Sequence, residues 1–292
     1  MEEALRKAQI LVEALPYFKA FDEKIIVIKL GGNAMGDGEL MRAVWLDIVF
    51  MEQVGLRPVL VHGGGPHISA RLKESNIEVR FVDGLRVTDG KTLEVVEEVF
   101  GEINRAICKG ILAEGGSPEP MSGARDRLIL ARKKPFPEGH DLGFVGEVVD
   151  VRPDKVLEAT QRGHVPVISP LGIGSDGQLF NVNADTAAAR IAAALWAEKL
   201  VFMSNIAGIL RQVDDPDSLI ATLKPRQIRE LIAAGVIAGG MLPKVEAALA
   251  AMSSGVHKVH IIDGRKQHSM LLEIFTREGI GTQFIPQEND NT

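Results

Sequence analysis

Short β-branched runs alternate along this chain with longer stretches whose apolar residues recur at helical spacing. Residues 23–30 read as a buried strand, and residues 40–54 as a helix with Val44, Ile48 and Met51 on one face. Residues 57–62 form a second predicted strand, followed by others over 165–170, 200–203 and 258–262. Helices are predicted over 184–195, 224–234 and 242–252. Alternation of this kind predicts an α/β fold, a three-layer α-β-α sandwich around a mainly parallel central sheet. The segment 133–146, rich in Pro and Gly, reads as loop and hairpin inserted at the surface. Ahead of Lys24, residues 4–15 are amphipathic, with Leu5, Ile10, Leu11 and Leu15 on one stripe and Pro16 as the break. A free-standing helix this short is marginal in water, so a surface to pack against is expected.

The bulk numbers narrow the function classes. The 292 residues carry 33 Lys+Arg against 39 Asp+Glu, a net charge of −6. Nucleic-acid binders concentrate basic charge, so none is expected as a partner. Cys108 is the only cysteine, which excludes an intrachain disulfide and leaves a small apolar helix residue as its reading. Met1 to Lys7 shows no secretory pattern, and no window approaches the roughly 18–20 apolar residues of a membrane helix. The cytoplasm is the expected location, without a membrane partner.

Three glycine-rich turns follow strands, and each offers backbone N–H groups to an anion. In Lys29-Leu30-Gly31-Gly32-Asn33-Ala34 a lysine ends a buried strand, which is costly without a negative partner. The two glycines let a phosphate approach the backbone; a tight turn with an exposed lysine is the plainer reading. Three consecutive glycines in His62-Gly63-Gly64-Gly65-Pro66-His67 are entropically costly, which favours an anion cradle over a linker. His62 is either catalytic or hydrogen-bonded to neighbouring backbone. In Ala238-Gly239-Gly240-Met241-Leu242-Pro243-Lys244, Pro243 suits a helix start. Lys244 then falls in a first turn where the helix dipole opposes it, which points to a phosphate contact.

No G-x-x-x-x-G-K-[ST] P-loop occurs, no G-x-G-x-x-G opens a βαβ unit, and the protein-kinase set is absent. One polar cluster remains, Asn181-Val182-Asn183-Ala184-Asp185, whose alternation puts Asn181, Asn183 and Asp185 on one side of an extended segment. Either Asp185 caps the helix that follows, or the asparagines bind a polar substrate while the carboxylate orients two lysines.

In this order the motifs resemble the amino-acid kinase family over essentially the whole chain. The resemblance runs through the turn at Lys29 to Met35, the turn at His62 to Pro66, Asp83-Gly84-Leu85-Arg86-Val87-Thr88, Asn181 to Thr186, and Gly239-Gly240-Met241 with Lys244. It is similar to the branch that phosphorylates N-acetyl-L-glutamate with ATP and Mg2+ in arginine biosynthesis. The resemblance implies that Arg86, Asn181 and Asn183 hold the acylated amino acid with help from Gly64 and Gly65. It implies that Lys29 and Lys244 touch the phosphates and that Asp185 positions both lysines. Gly31, Gly32, Ser204, Asn205, Gly208, Gly240 and Met241 are the implied nucleotide contacts. The implied division is an oligomerisation helix over 1–22, an acyl-amino-acid lobe over 23–190 and a nucleotide lobe over 191–292.

Two features resemble the arginine-inhibited, hexameric subgroup, a trimer of dimers. One is the N-terminal helix, which interlaces dimers there. The other places His260, Glu273 and Gly279 at positions that form an arginine site there; an ordinary strand and helix closing the sheet is the alternative. A nitrogen-signalling protein partner follows by family analogy only, since no residue demonstrates it. The chain departs from the family at Ser204-Asn205, where an aspartate usually follows the Ser or Thr, and at Ala124, where lysine is common. The first change bears on nucleotide binding. Rival readings are a kinase for aminoadipate, free or carrier-linked, or for carbamate, and a non-catalytic arginine sensor.

Overall fold

The structure, a computed structural model, describes residues 1–31, 38–135, 141–212, 214–276 and 279–287. It opens with helix α1 (Glu2–Phe21), then β1 (Ile25–Leu30), α2 (Gly38–Gln53), β2 (Arg57–His62) and α3 (Gly65–Glu74). A two-stranded hairpin, β3 (Phe81–Val82) and β4 (Leu85–Arg86), precedes the long α4 (Gly90–Ala113) and β5 (Pro118–Ser122). Next come β6 (Ile129–Lys133), β7 (Val145–Val151), α5 (Asp154–Gln161) and β8 (Val165–Ser169). They are followed by β9 (Leu171–Ile173), β10 (Leu179–Val182), α6 (Ala184–Ala194) and β11 (Lys199–Ser204). The last elements are β12 (Thr222–Leu223), α7 (Pro225–Ala233), α8 (Leu242–Ser253), β13 (Lys258–Asp263), α9 (Ser269–Phe275) and β14 (Thr282–Phe284).

Eight strands form one sheet in the order β12-β14-β13-β11-β1-β2-β8-β5, with β14 antiparallel to β13 and the six strands from β13 to β5 parallel. The β-branched run Ile25-Ile26-Val27-Ile28 suits a strand buried on both faces. Ile26, Ile28 and Leu30 join the core formed with α2 and α4, while Val27 joins the core formed with α6 and α8. This is the expected α/β sandwich. Strand alternation therefore sends Lys29 to the α6 and α8 side, with Val27. Register completes the geometry: Leu30 pairs with both His62 and Met203. The ends of β1, β2 and β11 consequently lie side by side at the carboxyl edge of the sheet, where open α/β sheets bind ligands.

Over this edge β10, β7, β6 and β9 close a small barrel. The expected hairpin around 133–146 is present, with Lys133 opposite Gly146, although residues 136–140 lie outside the described set. One expectation fails at the N-terminus: α1 does not break at Pro16 but runs through it to Phe21. The ring removes one backbone donor. Tyr17, Phe18 and Phe21 compensate by packing around Phe275, with Phe18 also on Phe50, at centroid distances of 5.5–6.5 Å. Leu5, Ile10 and Leu15 of the expected stripe are exposed, so this chain does not itself cover them. No helix among the described residues is long and apolar enough to cross a membrane.

Candidate active site

The turns at the sheet edge line a cavity of about 350 Å³ together with β10, the β3–β4 hairpin and the start of α6. A cavity near the lower end of the usual ~300–1,000 Å³ range suits a small polar ligand. Its wall includes Lys29, Gly31, Gly64, Gly65, Arg86, Asn181, Asn183, Asp185, Ser204 and Asn205. Gly31 sits so close to β11 that a Cβ there would lie 2.8 Å from the Met203 carbonyl oxygen. Gly32 lies outside the described residues.

Asp185 bridges two lysines from distant parts of the chain. Lys29 Nζ lies 2.8 Å from its Oδ1, and Lys244 Nζ donates to its Oδ2 at 2.9 Å. Each carboxylate oxygen of Asp185 thus faces one ammonium. Both lysines are nearly buried, at 9% and 7% exposure. Burial works against the Asp185 charge, yet Lys29 and Lys244 together hold its carboxyl below the usual range. Lys244 is lowered as well: burial, and then Lys29, outweigh the one carboxylate the two lysines share. Two cations and one anion leave an excess positive charge beside the cavity, which an incoming anion would neutralise.

The alternative cap assignment for Asp185 does not hold. Asn183 caps α6, its Oδ1 accepting from the Asp185 and Thr186 amides, because it is the residue with non-helical backbone just before the first turn. Asp185 is thereby the second residue of the helix, free to face the lysines. The capping role occupies Asn183 Oδ1; its Nδ2 remains. Asn181 donates to Thr88 Oγ1 at 3.1 Å, and Thr88 donates to the Arg86 carbonyl, which ties β10 to β4.

Arg86 is half of a prepared fork. Its Nη2 donates to the Gly65 carbonyl at 2.9 Å and to Ser69 Oγ at 2.8 Å, and its guanidinium stacks 4.7 Å from the Phe81 ring. Nη1 is buried without a partner among the described residues. An unsatisfied guanidinium donor on a cavity wall is chemically suited to a carboxylate. Ser69 and Phe81 were not anticipated from the sequence, because their roles depend on where the hairpin folds back.

Several expected positions lie off this wall. Gly240 and Met241 form the 3-10 turn leading into α8, and Gly208 packs where a Cβ would meet Thr282 Oγ1 at 2.5 Å. Gly208 is thus accounted for by close packing on β14. Ala124 sits in the core and not on the cavity wall. Cys108 is half-buried in α4, with its thiol pushed up to about 11 by burial.

A second polar cluster lies between β13, α9 and β14. His260 Nδ1 is 2.6 Å from Glu273 Oε1, while Glu273 Oε2 accepts from the Ile280 and Gly281 amides. Gly279, at φ 60, passes so close that a Cβ would lie 3.0 Å from that oxygen. Burial opposes the Glu273 charge, but His260 and the two amides hold its carboxyl low. His260 Nε2 is buried without a partner among the described residues. Lys199, not anticipated from the sequence, is buried nearby under the Phe21 ring at 4.8 Å, its pKa lowered to about 8 by burial and by Lys258. Its one sequence signal is a lysine opening a buried strand.

A sequence model described as the amino acid kinase family matches residues 24–263. The chain belongs to the amino acid kinase family. Among its relatives in the family, an acetylglutamate kinase of Desulforamulus reducens is 50% identical over 285 residues, 98% of this chain and 99% of that protein. N-acetylglutamate synthase from Neisseria gonorrhoeae, solved with coenzyme A and N-acetyl-glutamate, superposes with a TM-score of 0.87 at 27% identity. That alignment covers 97% of this chain and 64% of the synthase, so this chain spans less than two thirds of it. The same synthase with coenzyme A and L-arginine gives a TM-score of 0.82 at 28% identity, covering 95% of this chain and 65% of the synthase.

Proposed function

We propose that this chain transfers the γ-phosphoryl group of ATP to the side-chain carboxylate of N-acetyl-L-glutamate, giving N-acetyl-L-glutamyl 5-phosphate and ADP. The observation that carries the proposal is the buried Lys29–Asp185–Lys244 bridge beside a cavity whose other wall presents a free Arg86 donor. Identity of 50% to a full-length acetylglutamate kinase supports the choice of substrate.

A carboxylate is already ionised at neutral pH, so the acceptor needs no general base. The obstacle is an anion approaching an anion, and the remedy is positioning with charge neutralisation. In this reading Arg86 Nη1 binds the α-carboxylate, and Asn181 with Asn183 Nδ2 orients the acylated amino acid. Lys29 and Lys244 meet the phosphoryl oxygens as charge spreads over them. Asp185 holds the two ammoniums together without itself contacting the phosphate. Ser204 and Asn205 face the nucleotide side, where Asn205 accepts the loss of a charge usual in the family. The residues present do not form a protein site for Mg2+: Asp185, the sole carboxylate on the described cavity wall, is committed to lysines, and the described residues hold no cluster of three His, Cys, Asp or Glu. The ion would enter on the phosphates of ATP.

Residues 23–190 and 191–292 then act as acceptor and nucleotide lobes. The exposed stripe on α1 serves assembly with further copies, into a hexamer. His260, Glu273 and Gly279, with Lys199 beside them, form an effector site for arginine, a reading supported by the arginine-bound synthase structure. The test is coupled ADP release with N-acetyl-L-glutamate, with and without arginine. Turnover with aminoadipate or carbamate in preference to N-acetyl-L-glutamate would overturn the substrate, and insensitivity to millimolar arginine would overturn the effector site.

A further inference from the structure

The turn after β2 has an unusual division of labour among its backbone groups. Every carbonyl of its three glycines has a donor. Gly63 O lies 3.1 Å from His62 Nδ1, Gly64 O accepts from the Ile68 amide at 2.9 Å, and Gly65 O accepts from Arg86 at 2.9 Å. The Gly63 amide donates to the Leu30 carbonyl at 3.0 Å. The amides of Gly64 and Gly65 have no acceptor among the described residues, and both glycines line the cavity. In a trans peptide the carbonyl and the following N–H point in opposite directions. Whatever holds the Gly63 carbonyl therefore aims the Gly64 amide.

The holder is His62, a fully buried ring that is not on the cavity wall. It packs edge-on against Phe100 at 5.7 Å, and its Nε2 lies 3.4 Å from Asn104 Nδ2. Two carbonyls fix the orientation of that amide: Asn104 Nδ2 donates to Val167 O at 2.7 Å and to Met121 O at 3.3 Å. The Gly63 carbonyl can only accept, so the 3.1 Å contact places the ring proton on Nδ1 and leaves Nε2 unprotonated toward the Asn104 amide. Cys108 Sγ, 3.7 Å from Asn104 Oδ1, backs the amide from the far side. Gly64 has no room for another residue, since a Cβ there would meet Phe100 Cε1 at 2.9 Å.

We propose that His62 is a positioning residue for phosphoryl transfer: its Nδ1–H pins the Gly63–Gly64 peptide so that the Gly64 amide points into the cavity at the transferred phosphoryl oxygens. The proposal rests on reading the cavity as the phosphoryl-transfer site. Burial keeps the ring neutral by lowering its pKa to about 4, so it holds this donor through the physiological range. No charged side chain is hydrogen-bonded to it among the described residues; its polar neighbours are Asn104 and the Gly63 carbonyl.

The test pairs His62→Asn, whose side-chain amide places a donor where Nδ1 was, with His62→Leu, which fills similar space without one. A donor aimed at developing charge is worth about 100–1,000-fold, and mis-aiming it forfeits part of that. His62→Leu should lose about 10- to 100-fold in kcat, with KM for either substrate changed less than about threefold. His62→Asn should regain most of that loss while melting no higher than His62→Leu. Equal kcat in the two variants, or a loss that follows melting temperature, overturns the proposal. Should neither variant fold, 15N spectra of the native protein's histidines still decide, because an Nε2–H tautomer at His62 excludes the pin. If the native enzyme phosphorylates no carboxylate, it is the reading of the cavity that fails; native activity with undiminished His62→Leu turnover fails the pin alone.

Discussion

Replacing Asp185 with asparagine removes one negative charge and almost no volume, so it isolates the electrostatics of the bridge. In the native protein that carboxylate faces Lys29 at 2.8 Å and Lys244 at 2.9 Å, in surroundings where both lysines are nearly buried. Removing one partner from a buried ion pair typically costs about 3–5 kcal/mol, because the remaining charge is left uncompensated. Here two ammoniums are left, so the structure should respond by parting them or by shedding a proton. Lys244 is the candidate for shedding, since burial and Lys29 already lower its pKa against the help of Asp185. Either response withdraws at least one donor from the phosphoryl group, a loss of about 100–1,000-fold in kcat. The pH profile tells the two responses apart. A lysine that must be charged fails as pH rises through its pKa, so a lowered pKa moves the alkaline loss of activity to lower pH. Coupled ADP release should therefore show Asp185→Asn falling at a lower pH than the native enzyme if the proton is shed, and the same profile at reduced height if the lysines part. Turnover within threefold of native, with an unshifted profile, would refute the role given to the bridge.

Three further outcomes follow from the same geometry. Lys29→Ala and Lys244→Ala should each lower kcat by about a hundredfold or more in the ADP-release assay, with smaller effects on KM. Arg86→Lys cannot satisfy Gly65, Ser69 and a ligand carboxylate together, so KM for N-acetyl-L-glutamate should rise about tenfold or more while thermal stability changes little. Glu273→Gln should weaken arginine binding at least about tenfold by calorimetry through loss of a charge-assisted contact, and unchanged binding would move the effector elsewhere.

Element boundaries were legible because both periodicities are clean. The strand predicted at 57–62 matches β2 to the residue, and those at 200–203 and 258–262 each fall within a residue of β11 and β13 at either end. Pro16 misled because local backbone rules were opposed by packing: four aromatic side chains gathered around Phe275 sustain a turn that proline alone would end. Lys29 and Lys244 were legible as anomalies, one ending a buried strand and the other opening a helix against its dipole. Their convergence on Asp185 as a measured distance was not, since it depends on strand register and on α6 packing against α8. Arg86 was found through resemblance, but its partners Ser69 and Phe81 are common residue types in unremarkable positions. Lys199 opens a buried strand where Lys29 ends one, and no glycine turn beside it marked it as a site residue.

Stability and function pull in different directions at this site. Three buried charges that sum to +1, and an Arg86 nitrogen and two glycine amides without acceptors among the described residues, are each costly in a folded protein considered alone. Lys29, Asp185, Arg86 and the two glycines line one cavity, and Lys244 is tied to its wall through Asp185. An anion entering there would satisfy the excess charge and the free donors at once, while the carbonyls that would repel it are already turned away and bonded. The arrangement thus discriminates by charge before it discriminates by shape. A developing metaphosphate, which spreads negative charge over three oxygens, engages more of these donors than a ground-state carboxylate does. In the proposed reaction that difference would supply rate acceleration without a general base.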